Sequence, residues 1–347
     1  MKNSTLFFLS FLCLSSLVRA QDIHFSNTEY VPLVLNPALA GANSGRQANL
    51  AYRTQWGQLG TSFRSAIASF DTRVGKQEGR KTNSLAIGFN FFNDRTPATA
   101  ITNTAANFSL ADHIKVNSTS QISLALNLGY AFRSFNESGG KWASQYNGVS
   151  YDAGLPSGET FGNQNFGFFD AGAGIVYTYA KSTKNAVGTN NKRVNLGFAA
   201  YHVNRPNDSF IQSNDARLPI RFTFFTNAEL NVSGTKGSFL PGIYIQRQGT
   251  FSQYLLGAYY RYQLNGGSNY TGYEKPFSLY IGLFSRIQDS FIAKFMVEFD
   301  QYSVGYAHDF TVSPLTTNSG RLGASEIFIR YNMGDGGGFR NQNKPRS

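Results

Sequence analysis

The amino-acid sequence predicts an all-β chain: a transmembrane antiparallel β-barrel of about 14 strands, with a short N-terminal segment and a flexible C-terminal tail. Three observations carry this prediction. Charged residues make up only 15% of the 347 residues, aromatics also reach 15%, and Gly is abundant at 35, whereas a soluble domain carries about a quarter charged residues. Beyond the N-terminus no segment approaches the roughly 20 apolar residues that a membrane helix needs. Finally, a two-residue apolar alternation recurs along the chain, as it must where lipid-facing and lumen-facing side chains alternate.

Residues 1–20 read as a secretory signal: Lys2, an apolar run from Leu6 to Leu17, then Val18-Arg19-Ala20 at the cleavage position. The single cysteine, Cys13, falls inside it. The mature chain is therefore expected to have no disulfide, thiolate metal site or cysteine nucleophile. Residues 21–46 follow as a polar, irregular segment with Pro32 and Pro37, and prolines argue against a central strand. It is expected to lie in the periplasm before the barrel, or to plug the lumen.

The barrel is expected over 47–333. The clearest strand is 121–132, with Ile122, Leu124, Leu126, Leu128, Tyr130 and Phe132 on one face and Ser123, Ala125, Asn127, Gly129 and Ala131 on the other. Its small face leaves room for a plug, a water column or an incoming segment. The other strands are expected at 47–56, 63–74, 84–92, 101–113, 167–179, 193–203, 219–232, 240–247, 254–262, 277–287, 291–299, 302–311 and 325–333. The faces of 63–74 are ambiguous, 101–113 is weak, 240–247 is short, and a polar link joins 167–179 to 193–203. The long loop 133–165 breaks the rhythm. It carries Trp142, Tyr146 and Tyr151, which fit equally well as packing inside an ordered loop or as an exposed partner surface. Residues 334–347 are a flexible basic, Gly-rich tail.

Charge segregation separates a barrel from a soluble sandwich. Arg53, Arg221, Glu229, Arg261, Arg286, Lys294, Glu298, Asp309, Glu326 and Arg330 all fall on the face opposite the large apolar residues. An Arg or Lys at the lipid midplane costs roughly 2–4 kcal/mol. These side chains are therefore assigned to the lumen, with Glu298 and Asp309 as members of cross-strand ion pairs rather than a general acid and base.

No nucleophile, phosphate-loop or zinc motif occurs, so no catalytic residue, cofactor or metal is expected. His308 and Asp309 are adjacent on one strand and point to opposite faces, and His202 and His308 read as interface residues at strand ends. Trp56 and the tyrosines read as interface girdles. The net charge of +11 comes without a dense basic cluster, which argues against nucleic acid and for a basic lumen or contact with anionic headgroups.

The chain resembles the PorP/SprF outer-membrane proteins of the type IX secretion system in Bacteroidetes-type bacteria. The marks run in order: Gln21-Asp22-Ile23-His24-Phe25-Ser26; Leu35 through Gly41, containing Asn36 and Pro37; Tyr52-Arg53-Thr54-Gln55-Trp56; Leu196-Gly197-Phe198; Tyr201-His202-Val203-Asn204-Arg205-Pro206; Val304 through Phe310; and Glu326 through Tyr331. The resemblance implies a non-enzymatic outer-membrane barrel. Such a barrel assists secretion or surface attachment of cargo proteins with C-terminal sorting domains, including gliding adhesins. It also implies contact with peptidoglycan-linked or other secretion-system proteins in the periplasm. The tail beyond Met333 departs from the family pattern. A channel for hydrophobic or small polar solutes, and a barrel enzyme acting on lipid or peptide through His202, His308 or Asp309, stand as alternatives.

Overall fold

The structure, a computed structural model, describes residues 22, 24–42, 45–57, 62–74, 83–96, 101–136, 141–158, 164–185, 188–210, 216–232, 234–265, 275–313 and 322–333. The expected signal and tail lie outside these residues. Fourteen antiparallel strands close into one barrel: β1 Arg46–Gln55, β2 Phe63–Val74, β3 Ser84–Arg95, β4 Thr102–Lys115, β5 Ser120–Ser134, β6 Asn165–Asn185, β7 Gly188–Tyr201, β8 Arg221–Asn231, β9 Gly237–Gln248, β10 Phe251–Asn265, β11 Phe277–Arg286, β12 Ser290–Phe299, β13 Tyr302–Thr311 and β14 Leu322–Asn332. Each strand pairs with its neighbours in sequence, and β1 pairs with β14 to complete the ring. Closure leaves no sheet edge exposed to lipid, where an unpaired backbone group would cost several kcal/mol.

The alternation places side chains as the sequence requires. Leu126 and Leu128 on β5 and Leu283 on β11 are 65%, 65% and 72% exposed on the outer wall, while Ser123, Ala125 and Asn127 are buried inside. Strand β2 explains its own ambiguity: Ile67 points inward and is buried, while Ala66 and Ala68 face out. The polar link between β6 and β7 is itself hairpin, with Lys181 opposite Lys192 and Asn185 opposite Gly188. Strand β9 is longer than its pattern because Pro241 and Gly242 interrupt the alternation without breaking the ladder, Pro241 lying opposite Ala258.

Both barrel termini lie at one end, where connections such as 116–119, 186–187 and 300–301 are short. The two longest connections, 135–164 and 202–220, open at the other end. Outer-membrane barrels turn short connections to the periplasm and long loops outward, and this fixes which end is which.

The core of the molecule is a segment inside the barrel. Residues 25–28 and 30–42 are buried. They form a 3-10 turn at Thr28–Tyr30, one helical turn at Pro32–Leu35 and a second 3-10 turn at Pro37–Leu39. Short turns separated by prolines keep most backbone bonds local, so a segment without strand partners can be buried.

Candidate functional site

The segment descends the lumen from the extracellular end to the periplasmic end and is bonded at nearly every level. At the top, the Asp22 carboxylate meets His202 Nε2 at 2.5 Å and Arg221 Nε at 3.4 Å. His202 Nδ1 reaches Asp170 at 2.9 Å. His202 follows the end of β7 with φ 59°, a left-handed backbone that turns its ring into the lumen. Its expected place at the membrane interface is thus corrected. Burial opposes the imidazolium, but Asp22 and Asp170 outweigh it and raise the His202 pKa to about 9. Burial likewise opposes the Asp22 carboxylate, and His202 and Arg221 hold its pKa well below the usual range.

One level down lies a buried charge network. Glu326 accepts the backbone N–H of Ser26 at 2.7 Å and of Asn27 at 3.0 Å. Ser26 Oγ donates to Asp309 at 2.7 Å and accepts from Arg53 at 2.5 Å and Arg286 at 2.9 Å. Arg53 pairs with Asp309 at 3.1 Å and Glu326 at 3.4 Å, and Arg286 pairs with Asp309 at 3.0 Å. Buried ions persist only when paired and hydrogen-bonded, and here the segment's backbone and hydroxyl complete the set. Asp309 draws its partners from β1 and β11, neither of which is adjacent to β13. Below this, Lys294 pairs with Glu29 at 3.0 Å, Arg330 donates to the Glu29 carbonyl at 2.8 Å, and Tyr30 stacks on Phe328 at 3.8 Å.

The opposite wall works by close approach. Asn36 donates to the carbonyls of Ile175 (3.1 Å) and Phe198 (2.9 Å) on the barrel strands, and its own oxygen accepts from Ala38 N. A Cβ added to Gly174 would lie 2.2 Å from Asn36 Oδ1. Gly197 makes room in the same way, since a Cβ there would lie 2.1 Å from the ring of Phe225, which is fully buried. Tyr201, Arg221 and Thr223 donate to the carbonyls of Leu33, Val34 and Leu35. At the periplasmic end His113 donates to the Ala40 carbonyl, Asp71 accepts from Gly41 N, and Arg73 donates to the Gly41 carbonyl. A cavity of about 40 Å³ remains beside Leu33, Asn90, Asn127 and Arg221, room for a few waters.

The remaining expected residues divide. Arg261 pairs with Glu229 at 2.7 Å, and Glu298 accepts from Tyr280 at 2.7 Å, both in the lumen. Trp56 meets Phe63 edge-on at 5.3 Å, and Phe310 faces outward. Pro206 is buried in loop 202–220, its carbonyl accepting from Leu218 N. In the long loop, Trp142 packs edge-on against Phe135, while Tyr146 and Tyr151 bridge each other and stand 57% and 40% exposed. The two long loops are joined at their base by Arg133–Asp208 at 2.8 Å and by Phe210 against Phe135 and Phe166. His308 faces outward, away from Asp309, and shares Ser325 Oγ with the Tyr306 hydroxyl.

The comparisons with known proteins bear on this geometry. The model of the type IX secretion system membrane protein PorP/SprF matches residues 17–331. The chain belongs to the PorP/SprF family. It is accordingly a type IX secretion outer-membrane barrel. Among solved structures, a FadL homologue from Pseudomonas aeruginosa is 8% identical, with 86% of this chain and 92% of that one covered and a TM-score of 0.43. A mutant of the TodX monoaromatic hydrocarbon channel is 11% identical over 87% and 94%, with a TM-score of 0.42. BamA from Haemophilus ducreyi is 8% identical over 83% and 70%, with a TM-score of 0.41. At these values the likenesses carry no argument about function. No curated protein sequence matches the chain. Several marks of the PorP/SprF resemblance, Asn36, Pro37, Gly41, Arg53, His202, Asp309 and Glu326, prove to lie in or against the luminal segment.

Proposed function

We propose that this PorP/SprF barrel is a plugged, non-enzymatic holder: it retains a secreted cargo protein at its extracellular loops and assists that cargo's export or surface attachment. The observation that carries the reading is how the luminal charges are used. Arg53, Arg286, Lys294, Asp309, Glu326 and Arg330 all bind the segment or one another, so the lumen is spent on fixing a plug rather than on passing a solute. What remains for a partner is the extracellular end, where the loop 135–164, joined at its base to the loop 202–220, presents Tyr146, Val149 and Tyr151. Exposed aromatics on a rooted loop suit protein recognition, since they give large contact area at low entropic cost. The partner class is a cargo with a C-terminal sorting domain, such as a gliding adhesin. The periplasmic end would meet peptidoglycan-linked or other secretion-system proteins.

Deleting residues 146–162 tests the loop. The deleted protein is expected to insert as a heat-modifiable barrel and to lose cargo display on the cell surface; normal display would overturn the assignment. Planar-bilayer recording tests the plug. The intact protein is expected to give no steady conductance, and a steady conductance without any protein partner would favour a solute channel instead.

A further inference from the structure

The extracellular rim of the outer wall carries a cluster that the lumen does not use. Arg64 on β2 and Arg95 on β3 are direct cross-strand partners, both exposed and both facing outward. Side chains so placed have Cβ atoms about 5 Å apart, and like charges there repel. On the same face Thr54 lies opposite Arg64 and Thr102 opposite Arg95. One row toward the membrane, Asn93 donates to Thr104 at 2.8 Å. The carboxylates described on β2 and β3, Asp71 and Asp94, both point into the lumen, where Asp94 accepts from Ser65. Among the described residues, Arg64 has a hydrogen bond to Ser62 Oγ at 3.1 Å and neither arginine has an acidic partner. The row thus collects two guanidinium forks and hydroxyl donors around an uncompensated positive charge. An oxyanion placed between the forks would remove the repulsion and take paired N–H donors from each.

We propose that Arg64 and Arg95 bind the phosphate of an outer-leaflet lipid headgroup. The wall beneath decides between a lipid and a free anion. Below the arginines on the same outward face stand Phe91 and Phe89, 45% and 50% exposed, with the small Ala66 and Ala68 on the neighbouring strand. Ala68 lies directly opposite Phe91, which makes a shallow apolar slot leading down from the charge. Phosphate above and hydrocarbon below is the footprint of a lipid molecule.

The test uses the full chain in nanodiscs of phosphatidylcholine doped with diphosphoryl lipid A or with the same lipid stripped of phosphate, bound lipid being counted by native mass spectrometry. The wild type is expected to retain the phosphorylated form and not the stripped one. R64Q/R95Q is expected to lower retention about tenfold or more, while R247Q, at an exposed outward arginine on β9, leaves it unchanged. If the double variant does not insert, as judged by its heat-modifiable gel shift, R95Q alone is read by the same criterion. Equal retention by wild type and variant overturns the site, as does an equal loss in R247Q. Displacement of the lipid by excess inorganic phosphate overturns the lipid assignment in favour of a free anion. Loss of a co-purifying protein from R64Q/R95Q without loss of lipid overturns it in favour of a protein partner.

Discussion

Along β3–β7 the lumen is lined by small and amide side chains, Ala86, Asn90, Ser109, Ala125, Asn127, Gly174 and Ala199 among them. Along β10–β14 and β1 it is lined by Tyr259, Tyr280, Arg286, Lys294, Asp309, Glu326, Phe328 and Arg53. Both walls face the same segment. The first wall holds it by letting its backbone come close; the second holds it by ion pairs, donated carbonyl bonds and ring stacking. The difference teaches that the segment is clamped between a shape-matched surface and a charge-matched one. Damage to each should therefore look different, a steric displacement on one side and an orphaned charge on the other.

The largest effect is expected on the charged wall. E326A removes the acceptor for two segment N–H groups and leaves Arg53 with one carboxylate fewer. Breaking such a buried pair costs about 3–5 kcal/mol, read as a lower urea midpoint in lipid vesicles and faster amide exchange over residues 24–30. A cost below about 1 kcal/mol would mean that the charged wall does not clamp. On the small wall, Gly174→Val is expected to push Asn36 off its carbonyls and cost about 1–3 kcal/mol. Maleimide labelling of a cysteine placed at Ala38 should rise with it. N36A should cost about 1–3 kcal/mol by leaving barrel carbonyls unpaired, and the two changes should be non-additive because they act on one contact.

The top of the segment should respond to pH. The folded pKa of His202, about 9, lies above its unfolded value of about 6.5. The stabilisation is therefore fully present below about pH 6.5 and is lost as pH rises through about 9. Asp22, whose folded pKa is depressed, acts in the opposite sense: its contribution is lost only as pH falls below the ordinary carboxylate range. Amide protection near residue 22, taken relative to the intrinsic base-catalysed exchange rate, is expected to fall between pH 7 and 10 in the wild type and to lose that fall in H202Q. The smallest effect belongs to T223V, which removes one neutral bond to the Leu35 carbonyl at about 0.5–1.5 kcal/mol.

Much of the barrel was legible because strand period is a local property. Every expected strand occurs, and the inward charges could be assigned from parity alone. Partner choice was not legible. Asp309 finds Arg53 and Arg286 across intervening strands, and His202 finds Asp22 from the far N-terminus; neither separation leaves a mark in spacing. The segment 21–46 was recognisable by its prolines, but the stretch around Asn36 is buried on all sides and so has no period to say where it goes. Ile67 blurred the pattern of β2 because it packs inward. In the long loop the sequence weighed packing against exposure for three aromatics alike. The structure separates them: Trp142 packs on Phe135, whereas Tyr146 and Tyr151 pair with each other and stand exposed.

The charge network around Ser26 has a bearing on how the protein is made. Arg53 and Glu326 belong to β1 and β14, the first and last strands, which pair with each other to close the ring, and the two residues are direct cross-strand partners. The segment they hold runs from Asp22 near the extracellular end to Ala42 near the periplasmic end. A barrel already shut would have to be threaded through its whole depth. The segment is therefore expected to lie along the open sheet before the last seam forms, with Ser26 offering its backbone N–H to Glu326 and its hydroxyl oxygen to Arg53 as the two edges meet. Closure and plugging are then expected to be a single kinetic event, so that pulse-labelled chains protect residues 24–42 and the β1–β14 seam at the same rate.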